Sequence, residues 1–216
     1  MNRNLLRYRD VIMALDVAKD YNVFLGKLQL QKYIYLSDTL ALIWQLLGAR
    51  QGHETFRHGP YDQAIQNAVD ALAFRGFINI VESEYQQDGS IRAKYEISSF
   101  GQKLVNDLCE EPIFKQRLSV FEEIGRNINS RGWSKLKLYV YSEPTFVNER
   151  ALGWGKNLQV NSALTNLSLQ IIWHFQKLAN NIGHELSREK VTYLYFEVLD
   201  EFSILQPSFA RKDGDS

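Results

Sequence analysis

Residues Phe77–Ile97 constrain the fold more than any other stretch, because they read as a β-hairpin in a chain whose long periodic segments are helical. Phe77, Ile78, Ile80 and Val81 lead into a strand, and Gln87-Asp88-Gly89-Ser90 reads as a hairpin turn in which Gly89 can take positive φ. The return strand, Ile91–Ile97, alternates Ile91, Ala93, Tyr95 and Ile97 against Arg92, Lys94 and Glu96. Before the hairpin the spacing predicts three helices. The first, Leu5–Tyr21, carries Leu6, Val11, Ile12 and Leu15, and Asn22 suits its end. The second, Lys27–Leu47, is opened by Gly26 and closed by Gly48, with Leu28, Ile34, Tyr35, Thr39, Leu42, Ile43 and Leu46 as its buried stripe. The third, Tyr61–Arg75, has Pro60 at its start and Gly76 at its end. Gly48–His58 reads as a loop or short edge strand. After the hairpin, Ser98 or Ser99 caps a helix over Phe100–Cys109. Three helices followed by a two-stranded ribbon predict a winged helix-turn-helix.

Beyond Glu110-Glu111-Pro112 the pattern is helical again, over Pro112–Asn129, Asn161–Ile182 and Ser187–Ser203. Lys135–Tyr141 stays open, since its alternation suits a strand and its context a short helix, and Pro144 ends it either way. The fold class expected is mainly α (α+β). A winged-helix domain spans 1–110, a helical extension for assembly 111–206 and a flexible tail 207–216.

Lys plus Arg count 25 and Asp plus Glu count 25, so the formal charge is zero and the basic surplus of a simple nucleic-acid or membrane-surface binder is missing. One cysteine, Cys109, rules out an intrachain disulfide framework and suits a reducing compartment. With no apolar run of spanning length and no leader-like start, the sequence predicts a soluble cytoplasmic protein with no membrane partner.

Several motifs resemble a known family. Lys27-Leu28-Gln29-Leu30-Gln31-Lys32-Tyr33-Ile34-Tyr35-Leu36 resembles a helix of the bacterial Panacea-type antitoxin domains and their winged-helix relatives. Phe56-Arg57-His58-Gly59-Pro60-Tyr61 resembles the aromatic-x-x-Gly-Pro-Tyr element before their third helix. Arg75-Gly76-Phe77-Ile78 with Tyr95-Glu96-Ile97-Ser98-Ser99-Phe100-Gly101 is similar to the wing of many bacterial regulators. The likeness covers about residues 5–108. It implies an antitoxin module, or the middle component of a three-component, Lamassu-type anti-phage or anti-plasmid system built on an SMC-like ATPase. The partner implied is that larger ATPase, an effector or a toxin; DNA contacted within the complex and a homodimer are left open.

The third helix would be the one to read DNA, through Gln63, Gln66 and Asn67, with Arg57, His58, Arg92 and Lys94 contacting the flank. Asp62 and Asp70 against Arg75 leave that helix negative, which disfavours the phosphate backbone. A second basic group, Arg126, Arg131, Lys135 and Lys137 around Trp133, has Glu122, Glu123 and Glu143 to neutralise it. His53 and His58 lack the spacing and cysteine neighbours of a zinc site, and His174 beside Trp173 and Phe175 reads as a core histidine. Gly153-Trp154-Gly155-Lys156 reads as a turn with its tryptophan on the core rather than a phosphate loop. No nucleophile elbow or carboxylate pair is evident, and Cys109 reads as inert, so no catalytic, metal or cofactor residue is assigned and no enzyme is expected. Aromatics gather instead at Trp133, Tyr139, Tyr141, Phe146, Trp154, Tyr193 and Phe196, the side chains expected at a protein interface. The function expected is a non-catalytic adaptor; the alternative is a stand-alone winged-helix DNA-binding transcriptional regulator.

Overall fold

Helix α1 (Arg3–Asp20) sets Val11, Ile12, Leu15 and Ala18 into the core of a computed structural model that describes residues 3–46, 52–87, 89 and 91–205. Asn22 ends it in a left-handed conformation (φ +55°), with the Val23 amide donating to the Ala18 carbonyl at 3.0 Å. A two-residue strand, β1 (Leu25–Gly26), follows, and α2 (Lys27–Leu40) begins directly from it.

Helix α2 is the centre of the molecule, and every residue from Leu30 to Leu40 is buried. A helix buried all round must satisfy its polar side chains internally. Ser37 and Thr39 donate back to the Tyr33 and Tyr35 carbonyls at 2.9 Å, and Gln31 donates to the Asp62 carbonyl at 2.9 Å. The helix is shorter than its apolar stripe predicts. Past Leu40 the chain tightens into a 3₁₀ turn over Ala41–Trp44, and Gln45 turns left-handed (φ +59°). Side chains from later helices take the carbonyls there: Asn166 donates to Thr39 O at 2.8 Å and Gln116 to Trp44 O at 2.6 Å. Leu28, expected in the buried stripe, is exposed, and Gly48 lies outside the described residues.

Helix α3 (Gln63–Phe74) starts two residues later than the proline suggests, because the Asp62 carboxylate accepts the Ala64 amide at 2.9 Å and is the cap. Pro60 stands before it, in a turn closed by a Glu54–Tyr61 bridge. Strands β2 (Ile78–Tyr85) and β3 (Ile91–Ile97) form the antiparallel hairpin, with Gly89 at φ +82° in its turn; Asp88 and Ser90 are outside the described residues. Leu25 and Gly26 pair with Tyr95 and Lys94, giving a three-stranded sheet in the order β1-β3-β2. The register shifts between Ile80 and Glu82, so Val81 is an extra residue in β2. Ser98 then caps α4 (Ser99–Leu108), accepting the Gly101 amide at 3.1 Å.

Helix α5 (Pro112–Arg131) crosses back over α1 and α2 at Gly125, where a Cβ would lie 2.7 Å from both the Tyr33 hydroxyl and Val17 Cγ1. Lys135–Tyr141 is helical: a short 3₁₀ turn at Trp133–Lys135 leads into α6 (Leu136–Ser142). Its buried Leu136, Tyr139 and Val140 have helical spacing, which settles the open choice in favour of the short helix. Pro144 ends α6 and also opens a helix not anticipated, α7 (Pro144–Ala151). Helix α8 (Leu167–Asn181) starts at the Asn166 cap rather than Asn161, and α9 (Arg188–Leu205) closes the described chain. The expected tail at 207–216 lies outside the described residues.

The architecture is mainly helical with a small three-stranded antiparallel sheet, an α+β arrangement. One buried apolar cluster joins Ile12, Leu15, Leu36 and Val69 to Phe121, Ile124, Tyr139 and Phe196, so it runs through chain segments on both sides of residue 110. No helix among the described residues is long and apolar enough to cross a membrane.

Candidate functional site

Two buried polar knots hold the helices in place. Arg7 and Asp10 sit one turn apart on α1, fully buried, and meet Asp38 of α2 and the cap residue Asp62. Arg7 donates to Asp38 at 2.7 Å, Asp62 at 2.8 Å and Asp10 at 3.1 Å. Arg117 of α5 reaches in to Asp38 at 2.7 Å and Asp10 at 3.2 Å, and Arg9 closes on Asp10 at 2.6 Å. His53 Nε2 lies 2.9 Å from the same Asp38 carboxylate. Burial pushes the Asp38 carboxyl up, but the guanidiniums of Arg7 and Arg117 outweigh it and hold it well below the usual carboxylate range. Asp10 is held down in the same way by Arg117 and Arg9. Three carboxylates and three guanidiniums thus saturate one another at the junction of α1, α2, α3 and α5.

Glu143 forms the second knot, with no cation paired to it among the described residues. Fully buried, it caps α7 through the Thr145 and Phe146 amides at 3.0 and 2.6 Å and accepts the hydroxyls of Tyr35 and Ser168. Tyr195 of α9 joins through Ser168. Burial, then the charge of Glu143, raises the Tyr35 and Tyr195 hydroxyls well above their ordinary pKa, so both stay protonated and able to donate. These knots position helices. Sequence reasoning missed both: Arg7 and Asp10 stand one helical turn apart on α1, and nothing in that spacing names Asp38, Asp62 or Arg117 as their partners.

The residues singled out from sequence fall into three places. Gln63, Gln66 and Asn67 lie on the outer face of α3, engaged with their neighbours: Tyr61 donates to Gln63 at 2.7 Å, Gln63 to Asn67 at 2.9 Å and Gln66 to Asp70 at 3.4 Å. Arg92 and Lys94 stand on the charged face of the hairpin, Lys94 paired with Glu82 at 2.7 Å and Arg92 opposite Glu84 in register. Arg57 and His58 are exposed on the turn before α3, beside the buried Lys32 of α2 and Tyr141 of α6. The structure does not bring these seven residues into one constellation.

The aromatic set divides as well. Tyr139, Tyr141, Phe146 and Phe196 are interior and join the C-terminal helices to the body; Tyr139 and Phe196 meet edge to face at 5.3 Å. Their expected outward role is corrected by burial. Trp133 is half-buried against Tyr33, while Tyr193 and Trp154 are exposed. Trp154 therefore does not pack on the core; the Arg150 guanidinium covers its ring at 5.3 Å. His174 is exposed on α8, where the chain's apolar stripe turns away from it. In the second basic group, Arg131 and Lys135 pair with Asp200 of α9 and Arg126 with Glu123. Lys137 turns instead to the Tyr141 ring, 5.6 Å from its centroid. Burial pushes the Cys109 thiol up, away from the reactive thiolate.

The hairpin carries an apolar face that runs from the core out to solvent. Ile78, Tyr95 and Ile97 anchor its apolar face in the core, and the same face continues outward through Ile80, Tyr85 and Ile91, which are 58, 75 and 67% exposed. β2 is the outer strand of the sheet. Phe74, at the end of the helix leading to it, is 92% exposed. No protein-family model matches the chain, and no curated protein matches it.

Proposed function

We propose that this chain is a winged-helix protein acting as a non-catalytic docking subunit of a bacterial multi-protein assembly, of the anti-phage, anti-plasmid or toxin–antitoxin kind. The sequence α1, α2, α3, hairpin, α4 supports the winged-helix reading, with β2 and β3 as the wing and β1 as the short strand that ties it to the body. The observation that carries the docking reading is the hairpin's outward apolar face. Ile80, Tyr85 and Ile91 continue the buried face beyond the core they could pack against, and exposed apolar patches on an outer strand are where partner chains add.

DNA reading by α3 alone is the weaker alternative. The amides proposed to face base edges are tied to one another and to Asp70, and Lys94 is neutralised by Glu82. The experiment is a nuclease-treated affinity purification of the tagged chain from its native host, read by mass spectrometry, with a duplex-retention assay on the isolated protein. A stoichiometric large ATPase, effector or toxin, with little DNA retained, is the result expected. Recovery of the chain alone, together with salt-sensitive duplex binding, would favour the stand-alone regulator.

A further inference from the structure

The turn at Gly59 and the helix α6 enclose a cationic corner that neither knot uses. Lys32 is 5% exposed, and its ammonium donates one hydrogen bond, to the His58 carbonyl at 2.8 Å. Two of its three N–H groups have no acceptor among the described residues. The Tyr141 ring gathers three cations: Lys32 Nζ at 6.0 Å, Lys137 Nζ at 5.6 Å and the Arg150 guanidinium at 5.5 Å from its centroid. Gly59 stands at φ +99°, and a Cβ there would lie 3.6 Å from Lys32 Nζ and 3.7 Å from the Tyr141 ring, so the backbone approaches closely. Arg57 and His58 flank the opening, both exposed.

Lys32 and Lys137 form no ion pair among the described residues. Burial, and then the charge of Lys137, pushes the Lys32 ammonium down to about 8. Burying a cation without a counter-charge is unfavourable, and a ring face offsets only part of that cost. Two lysines turned to one aromatic ring, neither paired with a carboxylate among the described residues, are the reverse of the balanced Arg7 knot. What would complete the corner is a compact, multiply charged oxyanion, which ammonium and guanidinium donors bind from several sides. Trp154, exposed and bridged to the corner by Arg150, offers an aromatic face at its rim.

We propose that Lys32, Lys137 and Arg150 around Tyr141 form a phosphate-binding site, with Trp154 placed to stack the base of a nucleotide that carries the phosphate. The site lies away from the hairpin and stands independently of the docking reading. Its phosphate could come from a free nucleotide or from a nucleic-acid strand, and the test separates them.

Thermal unfolding of the full chain is followed with AMP, adenosine or inorganic phosphate, each against sodium chloride at equal ionic strength. AMP and phosphate should raise the midpoint where adenosine and chloride do not. Lys32→Met and Lys137→Met should each weaken AMP binding by about tenfold or more, with the circular dichroism unchanged. Because Lys137 is only half-buried, its variant keeps the test valid if the buried substitution perturbs folding. Trp154→Ala should weaken AMP more than inorganic phosphate. A single-stranded oligonucleotide that displaces AMP assigns the phosphate to a strand; one that does not assigns it to a free nucleotide. Midpoints no higher in phosphate or AMP than in chloride, or a Lys137→Met chain that binds as tightly as the wild type, would overturn the proposal.

Discussion

Arg7→Met should be among the most destabilising substitutions in the chain, because it leaves Asp38, Asp62 and Asp10 buried with one guanidinium fewer. Breaking a buried ion network by removing one member costs about 3–5 kcal/mol, which urea denaturation would read directly. The same knot sets the acid limit. Asp10 and Asp38 are held below the ordinary carboxyl value of 3.8, so their contribution is complete above that pH and is lost as pH falls below it. Asp38→Asn should flatten that acid dependence. Lys32 works in the opposite range. Its folded pKa of about 8 lies below the ordinary 10.5, so the unfolded chain binds more protons between those values and stability rises with pH across that window. Lys32→Met should abolish a rise of up to ~3 kcal/mol, measured as unfolding free energy from pH 8 to 10.5. None of these residues was legible as a partner from sequence. An arginine on a helix reads as solvated surface, and only the meeting of four elements turns Arg7 inward.

At the scale of elements, local chemistry was read well where a turn or cap decides the structure. Gly89 at the hairpin, Ser98 before α4 and Asn22 after α1 stand where their side-chain and backbone preferences put them. Reading failed where tertiary contacts decide. Two residues of β1 exist because β3 offers an edge to Leu25 and Gly26, and α2 gives way to a 3₁₀ turn where Asn166 takes the Thr39 carbonyl and Gln116 the Trp44 carbonyl. Over Lys135–Tyr141, left open between strand and short helix, helical burial of Leu136, Tyr139 and Val140 decides for the helix. The hairpin's far end, by contrast, is held by the ladder rather than the core. The double substitution Tyr85→Glu with Ile91→Glu should therefore change unfolding free energy by only about 0.5 kcal/mol, as calorimetry would show, while removing the apolar face.

Across the whole molecule, the expected boundary at 110 falls in the turn between α4 and α5, but the buried cluster does not stop there. Arg117 completes the ionic knot of the N-terminal helices, and Gly125 lets α5 lie directly on Tyr33 and Val17. A fragment ending at residue 110 should lack a cooperative thermal transition; one melting sharply near the full chain's midpoint would mean that the first half folds alone. The hairpin itself rests on α1, α3 and α4, which α5 in turn holds together through α1 and α2. The most direct test is a paired, nuclease-treated purification of the wild-type chain and the Tyr85→Glu, Ile91→Glu variant from the native host. The account predicts a stoichiometric protein partner with the wild type and its loss with the equally stable variant. Equal recovery of that partner by both chains, or a wild-type chain that emerges alone, would contradict it.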